Sequence, residues 1–266
     1  MKTFIIQKNA LLEEETALKI SIKYQKTFKQ NNDFDYIIVS NISSLKIDNP
    51  HDYIPFGTIE FTNQFITKFY GNEYIPLPLN IPFIINDYAK RDIINISLTD
   101  DNRSHIICSL ASLFTYDTHI DKIFVKSNDI IKFKNNGIHT IVDLLDIKLF
   151  PNGIYQISKL IDIKSEYRCF IYKDKLVGIK NYNGDFTIFP DINVINEIIN
   201  KYKWDNGDGL APEAYTLDIG VNDKDTFIIE CHDFISVGLY GFNQYEILPF
   251  MYSHSWFNLV HKIQSI

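Results

Sequence analysis

Hydrophobic and polar positions alternate most clearly near the C-terminal end. Leu217, Ile219 and Val221 alternate with Thr216, Asp218 and Gly220; after the polar stretch 222–225, Phe227, Ile229 and Cys231 alternate with Glu230 and His232. A period of two on both sides of a short polar turn predicts a β-hairpin with one apolar face. Pairing Asn222 with Thr226 sets Asp218 opposite Glu230 and Thr216 opposite His232. Elsewhere a helical period runs over Leu11–Phe28, and a strand follows at Tyr36–Ser40. The proline-rich stretch Pro50–Pro82 predicts extended segments joined by turns, because proline interrupts helices. Strands are predicted at Ile93–Leu98, Ile123–Lys126, Ile154–Ser158, Tyr167–Tyr172 and Leu176–Lys180, the last two joined by the turn Lys173, Asp174, Lys175. A helix is predicted at Val194–Tyr202, and a closing helix at Tyr245–His261 broken at Pro249. The pattern is α+β with several antiparallel hairpins. Shifts of pattern divide it near residues 90 and 190.

The chain has 266 residues, 45% of them hydrophobic, enough for a substantial core. Its 26 basic and 33 acidic residues leave a formal charge of −7, which argues against a broad nucleic-acid footprint. Cys108, Cys169 and Cys231 show no CxxC spacing and sit in apolar surroundings, as buried reduced thiols do. The apolar run after Lys2 is too short for a signal-peptide core, and no stretch reaches the length of a membrane span. The expectation is a soluble cytoplasmic protein without a membrane partner, for which a homodimer is the default assembly.

Two facing carboxylates repel at a Cβ separation of about 5 Å. A divalent cation with oxygen ligands would offset that repulsion, and Mg²⁺ is typically held by one or two carboxylates together with substrate phosphates. A solvated hairpin edge is the plain alternative. Lys126 closes the apolar strand IFVK before a polar loop that lacks the spacing of a phosphate-binding P-loop. Glu166 and Arg168 share one face of SEYRCF, where they either balance each other or line a cleft. Lys180 ends the partner strand. The chain therefore supplies cations suited to phosphate oxygens (Lys126, Arg168, Lys180) and ligands suited to a metal (Asp218, Glu230, His232).

In order, FVKSND, EYRCFIYKDKLVGIKNY, YTLDIGV and FIIECHDF resemble the ATP-grasp superfamily over Ile123–Leu239, and PFGTIEF resembles a segment of a clade of small ATP-grasp proteins. The resemblance implies an ATP-grasp fold, with two α+β subdomains (91–190 and 191–266) clasping the nucleotide after a smaller N-terminal α/β domain (1–90). It implies that Lys126 touches the α-phosphate and adenine side, Glu166 the ribose hydroxyls, and Arg168 and Lys180 the transferred phosphate, with Asp218 and Glu230 on magnesium. His232 stands where the family commonly has Asn, and an imidazole suits Mn²⁺ better than Mg²⁺. The segment Lys132–Gly137, in the position of the lid, contains a single glycine. The implied activity is ATP-dependent carboxylate–amine ligation through an acyl phosphate, on a carboxylate and an amine, a peptide or protein among the candidates. An ATP-binding module without catalysis and an interaction protein are the rivals.

Overall fold

The computed structural model describes residues 1–71, 81–114, 122–127, 135–203 and 211–264. They fall into two compact units: Met1–Ile75 with Leu79–Tyr88 and Ile163–Ile266, and Ala89–Asp162 with Pro76–Pro78. The first unit opens with a parallel sheet in the order β2-β1-β3, made of β1 (Lys2–Gln7), β2 (Phe34–Val39) and β3 (Tyr53–Phe56). Phe4, Ile5 and Ile6 of β1 are fully buried, as a central parallel strand covered on both faces requires. Helix α1 (Leu12–Phe28) carries the chain from β1 to β2. It begins with Glu13, Glu14 and Glu15, acids that suit the positive end of a helix.

The proline-rich stretch departs from expectation. Pro55 does lie in a strand, at the sheet edge where its missing N–H is harmless. The chain then turns into helix α2 (Ile59–Phe69), whose first turn is capped by Thr58 accepting the Phe61 N–H. No proline occurs between Pro55 and Pro76, so nothing there opposes a helix that buries Phe61, Phe65 and Ile66.

The second unit holds β4 (Ile93–Leu98), α3 (Arg103–Phe114), β5 (Lys122–Ser127), β6 (Gly137–Thr140) and β7 (Gly153–Lys159). Its sheet is antiparallel throughout, in the order β4-β7-β5-β6. Leu98, Leu110, Ile123, Val125, Phe150 and Ile157 form its core. Arg103, 5% exposed, donates to the carbonyls of Leu144 and Phe150 at 2.7 and 2.8 Å. Half of the glycine-poor segment Lys132–Gly137, residues 132–134, lies outside the described residues.

The remaining strands are β8 (Ser165–Tyr172), β9 (Lys175–Gly184), β10 (Ala214–Val221) and β11 (Thr226–Asp233). They form one antiparallel sheet in the order β11-β10-β8-β9. The division expected near residue 190 is therefore not where the units part: β8 and β9 belong to the same sheet as β10 and β11, and the break falls at 162/163. One face of this sheet is covered by α4 (Ile192–Tyr202), which Asp191 caps by accepting the Asn193 N–H. Ile195, Ile198 and Ile199 of α4 meet Leu217, Ile219, Ile228, Cys169 and Cys231 there. Helix α5 (Leu248–Gln264) closes the fold. Pro249 starts this helix rather than breaking it, since proline fits the first turn where its N–H would have no partner. Phe170, Phe234, Met251, Tyr252 and Trp256 join the core of the parallel sheet. Among the described residues no helix is long and apolar enough to cross a membrane.

Candidate active site

The face of the β11-β10-β8-β9 sheet turned away from α4 carries three transverse rows. In the middle row Glu230, Asp218, Arg168 and Lys180 stand directly opposite one another across four adjacent strands. A second row runs Phe227, Gly220, Glu166, Asn183, and a third His232, Thr216, Phe170, Gly178. The alternation of β8 places Glu166 and Arg168 on this face and Tyr167, Cys169 and Ile171 on the other.

The hairpin reaches its register by an unexpected route. The Asn222 N–H donates to the Asp225 carbonyl, Val221 rather than Asn222 faces Thr226, and a bulge at Ile229 restores the pairing of Asp218 with Glu230. The bulge also exchanges faces. Ile228 enters the α4 core, while Phe227, expected on the apolar face, lies over Gly220, where a Cβ would come within 2.4 Å of its ring. Gly220 is required by that ring.

Arg168 grips Asp218 with two parallel hydrogen bonds: Nε donates to Oδ1 at 2.8 Å and Nη2 to Oδ2 at 2.7 Å. Nη1 donates to the Gly238 carbonyl at 3.2 Å. Burial alone would pull the guanidinium pKa down, but the Asp218 carboxylate outweighs it and leaves the group above its ordinary value. The Arg168 guanidinium lies 5.1 Å from the ring of Tyr240 and 5.8 Å from that of Tyr182, and the two rings stack on each other. Glu166 accepts from the Tyr182 hydroxyl at 2.8 Å and from the Asn183 amide at 2.7 Å. Burial, then the Asp218 charge, then the bond to Glu166 hold the Tyr182 hydroxyl protonated.

The chain itself meets half of the expected repulsion, since Arg168 neutralises Asp218. Glu230 lies beside His232, whose Nε2 is 2.8 Å from Glu230 Oε2 and 3.9 Å from Asp218 Oδ2. Ligand atoms of Asp218, Glu230 and His232 all lie within 4.8 Å of one another. Thr216, fully buried and directly opposite His232, has a hydroxyl without a hydrogen-bond partner among the described residues. Two carboxylates, an imidazole and an unsatisfied hydroxyl on one face are a donor set that fits a divalent cation. Half-buried Lys180 makes no hydrogen bond or ion pair among the described residues. Lys126 belongs to the second unit, opposite Gln156 on β7.

Tyr182, Asn183, Tyr240 and the Gly238 carbonyl are the contributors that sequence reasoning missed. Asn183 comes opposite Glu166 only through a bulge at Tyr182, which leaves no mark in the sequence, whereas Tyr182 extends the expected strand by alternation from Lys180, a usable signal. For Tyr240 there was none, because it sits in a loop with a left-handed backbone, φ 49°.

Residues 101–249 match the sequence pattern of the ATP-grasp domain, R2K clade family 2. No curated protein matches the chain. Among solved structures it is similar to D-alanine–D-alanine ligase from Bacillus anthracis complexed with ATP, at 11% identity over 98% of this chain and 99% of that one, TM-score 0.56. D-cycloserine synthetase DcsG aligns at 9% identity over 99% and 100% of the two chains, TM-score 0.59. N5-carboxyaminoimidazole synthetase from Staphylococcus aureus complexed with ADP aligns at 12% identity over 95% and 77%, TM-score 0.55. These likenesses show the fold, and the domain match spans more than half of the sequence: the chain belongs to the ATP-grasp superfamily, R2K clade family 2.

Proposed function

We propose that this protein is an ATP-dependent carboxylate–amine ligase. The observation that carries the reading is the row Glu230, Asp218, Arg168, Lys180, two acids followed by two cations on adjacent strands of one face. Family membership supports ATP as the nucleotide, and the names of the structural neighbours support ligation as the reaction class.

In the proposed reaction a substrate carboxylate oxygen bonds to the γ-phosphorus as the bond to the β–γ bridging oxygen breaks, releasing ADP. An amine nitrogen then attacks the acyl carbon of the acyl phosphate. The carbon–oxygen bond breaks, inorganic phosphate leaves and the amine loses a proton. Such chemistry needs positioning and charge stabilisation, and no nucleophilic side chain. Asp218, Glu230 and His232 would hold a divalent cation, which when bound supplies neutralisation of phosphate oxygens. Lys180 makes no hydrogen bond or ion pair among the described residues, so its ammonium suits a phosphate. Arg168 has five N–H donors and commits three to Asp218 and Gly238, which leaves two for the transferring group. Glu166, held from both oxygens by Tyr182 and Asn183, suits ribose hydroxyls. The role of Lys126 at the α-phosphate rests on the resemblance alone.

Release of ADP from Mg·ATP in the presence of pooled amino acids and small carboxylates tests the reading. Glu230→Gln is expected to abolish metal-dependent turnover, and unchanged turnover would remove Glu230 from the site. Arg168→Ala is expected to lower turnover more than nucleotide affinity. One observation favours a second reading, a nucleotide-binding module without catalysis: both Asp218 oxygens are already engaged by Arg168. ATP binding by calorimetry without ADP release under any substrate pool would support that reading.

A further inference from the structure

The segment Phe234–Phe242 leads from the metal-type hairpin toward α5, and the N-terminal part of the chain holds it at three points. The Leu239 N–H donates to Glu14 Oε1 at 3.1 Å, the Gly241 N–H donates to Glu13 Oε1, and the Ser236 and Thr62 hydroxyls are 3.1 Å apart. Glu13 and Glu14 open α1; Thr62 is in the first turns of α2. Ser236, Tyr240 and Gly241 have left-handed backbones, with φ of 55°, 49° and 78°. For Ser236 and Tyr240 that conformation persists only where surrounding contacts impose it. Between the anchors the segment turns two groups onto Arg168: the Gly238 carbonyl, which accepts from Nη1, and the Tyr240 ring. Each carboxylate anchor lies on a residue next to Tyr240.

We infer that Glu13 and Glu14 are positioning residues for Arg168: by accepting the Leu239 and Gly241 amides they fix the Gly238 carbonyl and the Tyr240 ring, and through them the guanidinium that grips Asp218. The start of helix α1 is in this way a working part of the site. Glu14 is buried and Glu13 exposed, so an acid at 14 needs a reason beyond solvation, and the Leu239 amide supplies one. Both carboxylates act here as acceptors, so glutamine, which keeps a side-chain carbonyl oxygen, preserves the function and alanine removes it.

The kinetic part of the test rests on the ligase reading; the spectroscopic part does not. The chain contains three arginines, Arg91, Arg103 and Arg168, so ¹⁵N-arginine labelling gives a simple Nε–H spectrum. Arg168→Lys assigns the signal. In the wild-type chain the Arg168 Nε–H is expected to be shifted by the stacked rings and to exchange slowly with water. In a Glu13→Ala, Glu14→Ala variant it is expected to lose the ring shift and exchange at least tenfold faster, and the Glu13→Gln, Glu14→Gln variant is expected to match the wild type. Glu13→Ala alone, at an exposed position, gives the same readout should the double variant fail to fold. An unchanged Arg168 signal in a folded alanine variant would overturn the inference, as would a glutamine variant that behaves like alanine. With turnover established, the alanine variant is expected to lose about tenfold in kcat while KM for ATP stays within about twofold. No turnover in the wild type would defeat the ligase reading and leave the Nε–H result to decide the positioning role.

Discussion

Asp218 and Glu230 face each other, yet their removal should cost very different amounts of stability. The Asp218 side chain is 5% exposed and that of Arg168 11%, whereas Glu230 and His232 are 29% and 28% exposed. Asp218→Ala strands a buried guanidinium, and breaking such a pair costs about 3–5 kcal/mol. Glu230→Ala removes a partly solvated neighbour of an imidazole, where an ion pair is worth about 0–1 kcal/mol. At about 2–4 °C per kcal/mol for a chain of this size, Asp218→Ala should lower Tm by roughly 6–20 °C and Glu230→Ala by at most about 4 °C. Urea and thermal denaturation followed by circular dichroism give the comparison, without nucleotide or metal so that site occupancy does not enter. Asp218→Leu with Arg168→Met is the control, since replacing both members of a buried pair by apolar groups is often neutral. Equal destabilisation by the two single variants, or a double variant no better than Asp218→Ala, would refute the claim that an orphaned Arg168 charge sets the cost.

Four further outcomes follow from particular residues. The exposed Cys108 should react with a thiol reagent in the native chain, with Cys169 and Cys231 labelled only on unfolding. Burial holds both buried thiols protonated, so their contribution is intact below the unfolded thiol pKa and stability should fall as pH rises beyond about 9, a decline that Cys→Ala at both positions should flatten. His232→Asn should weaken Mn²⁺ binding by about tenfold relative to Mg²⁺, seen by Mn²⁺ electron paramagnetic resonance with and without Mg²⁺ competition; an unchanged ratio would show that the imidazole is not a ligand. Gly178→Ala should destabilise by about 1–3 kcal/mol in denaturant titration, because its Cβ would lie 2.6 Å from the Phe242 ring that stacks on Phe170, and a neutral effect would mean that this ring moves freely.

The sheet that carries the site was largely legible because its strands are half-buried and alternate: the faces of Glu166, Arg168, Asp218, Glu230 and His232 can each be read from a period of two. A bulge leaves no mark on that period. Ile228 and Ile229 are identical in character, so the sequence is silent on which of them enters the core, and pairing Asn222 with Thr226 makes the turn one residue too tight, an error that the bulge at Ile229 cancels. Strand β1 is not marked by alternation, because its signal is burial on both faces. Helix α2 was hidden by flanking prolines that do not enter it. Tyr240 and the Glu13 and Glu14 anchors depend on contacts more than 200 positions apart in sequence, beyond any local pattern.

The two acids of the middle row are chemically alike and structurally unlike, and the difference has a functional logic. A carboxylate gripped by a bidentate guanidinium in a nearly dry setting has little freedom, so Asp218 supplies a fixed reference point. Glu230 follows a bulge, is 29% exposed and lies beside an imidazole, so its oxygens have room to turn toward an incoming ligand. Along the same row the order repeats in the cations: Arg168 is held from three sides, and Lys180 is open. Each pair thus joins one preorganised member to one adaptable member. Under the proposed phosphoryl transfer, preorganised charge would lower the reorganisation cost, and the adaptable partners would admit and release the ligand. A site built only from residues like Asp218 and Arg168 would be rigid but already satisfied by itself, and one built only from residues like Glu230 and Lys180 would bind without holding geometry.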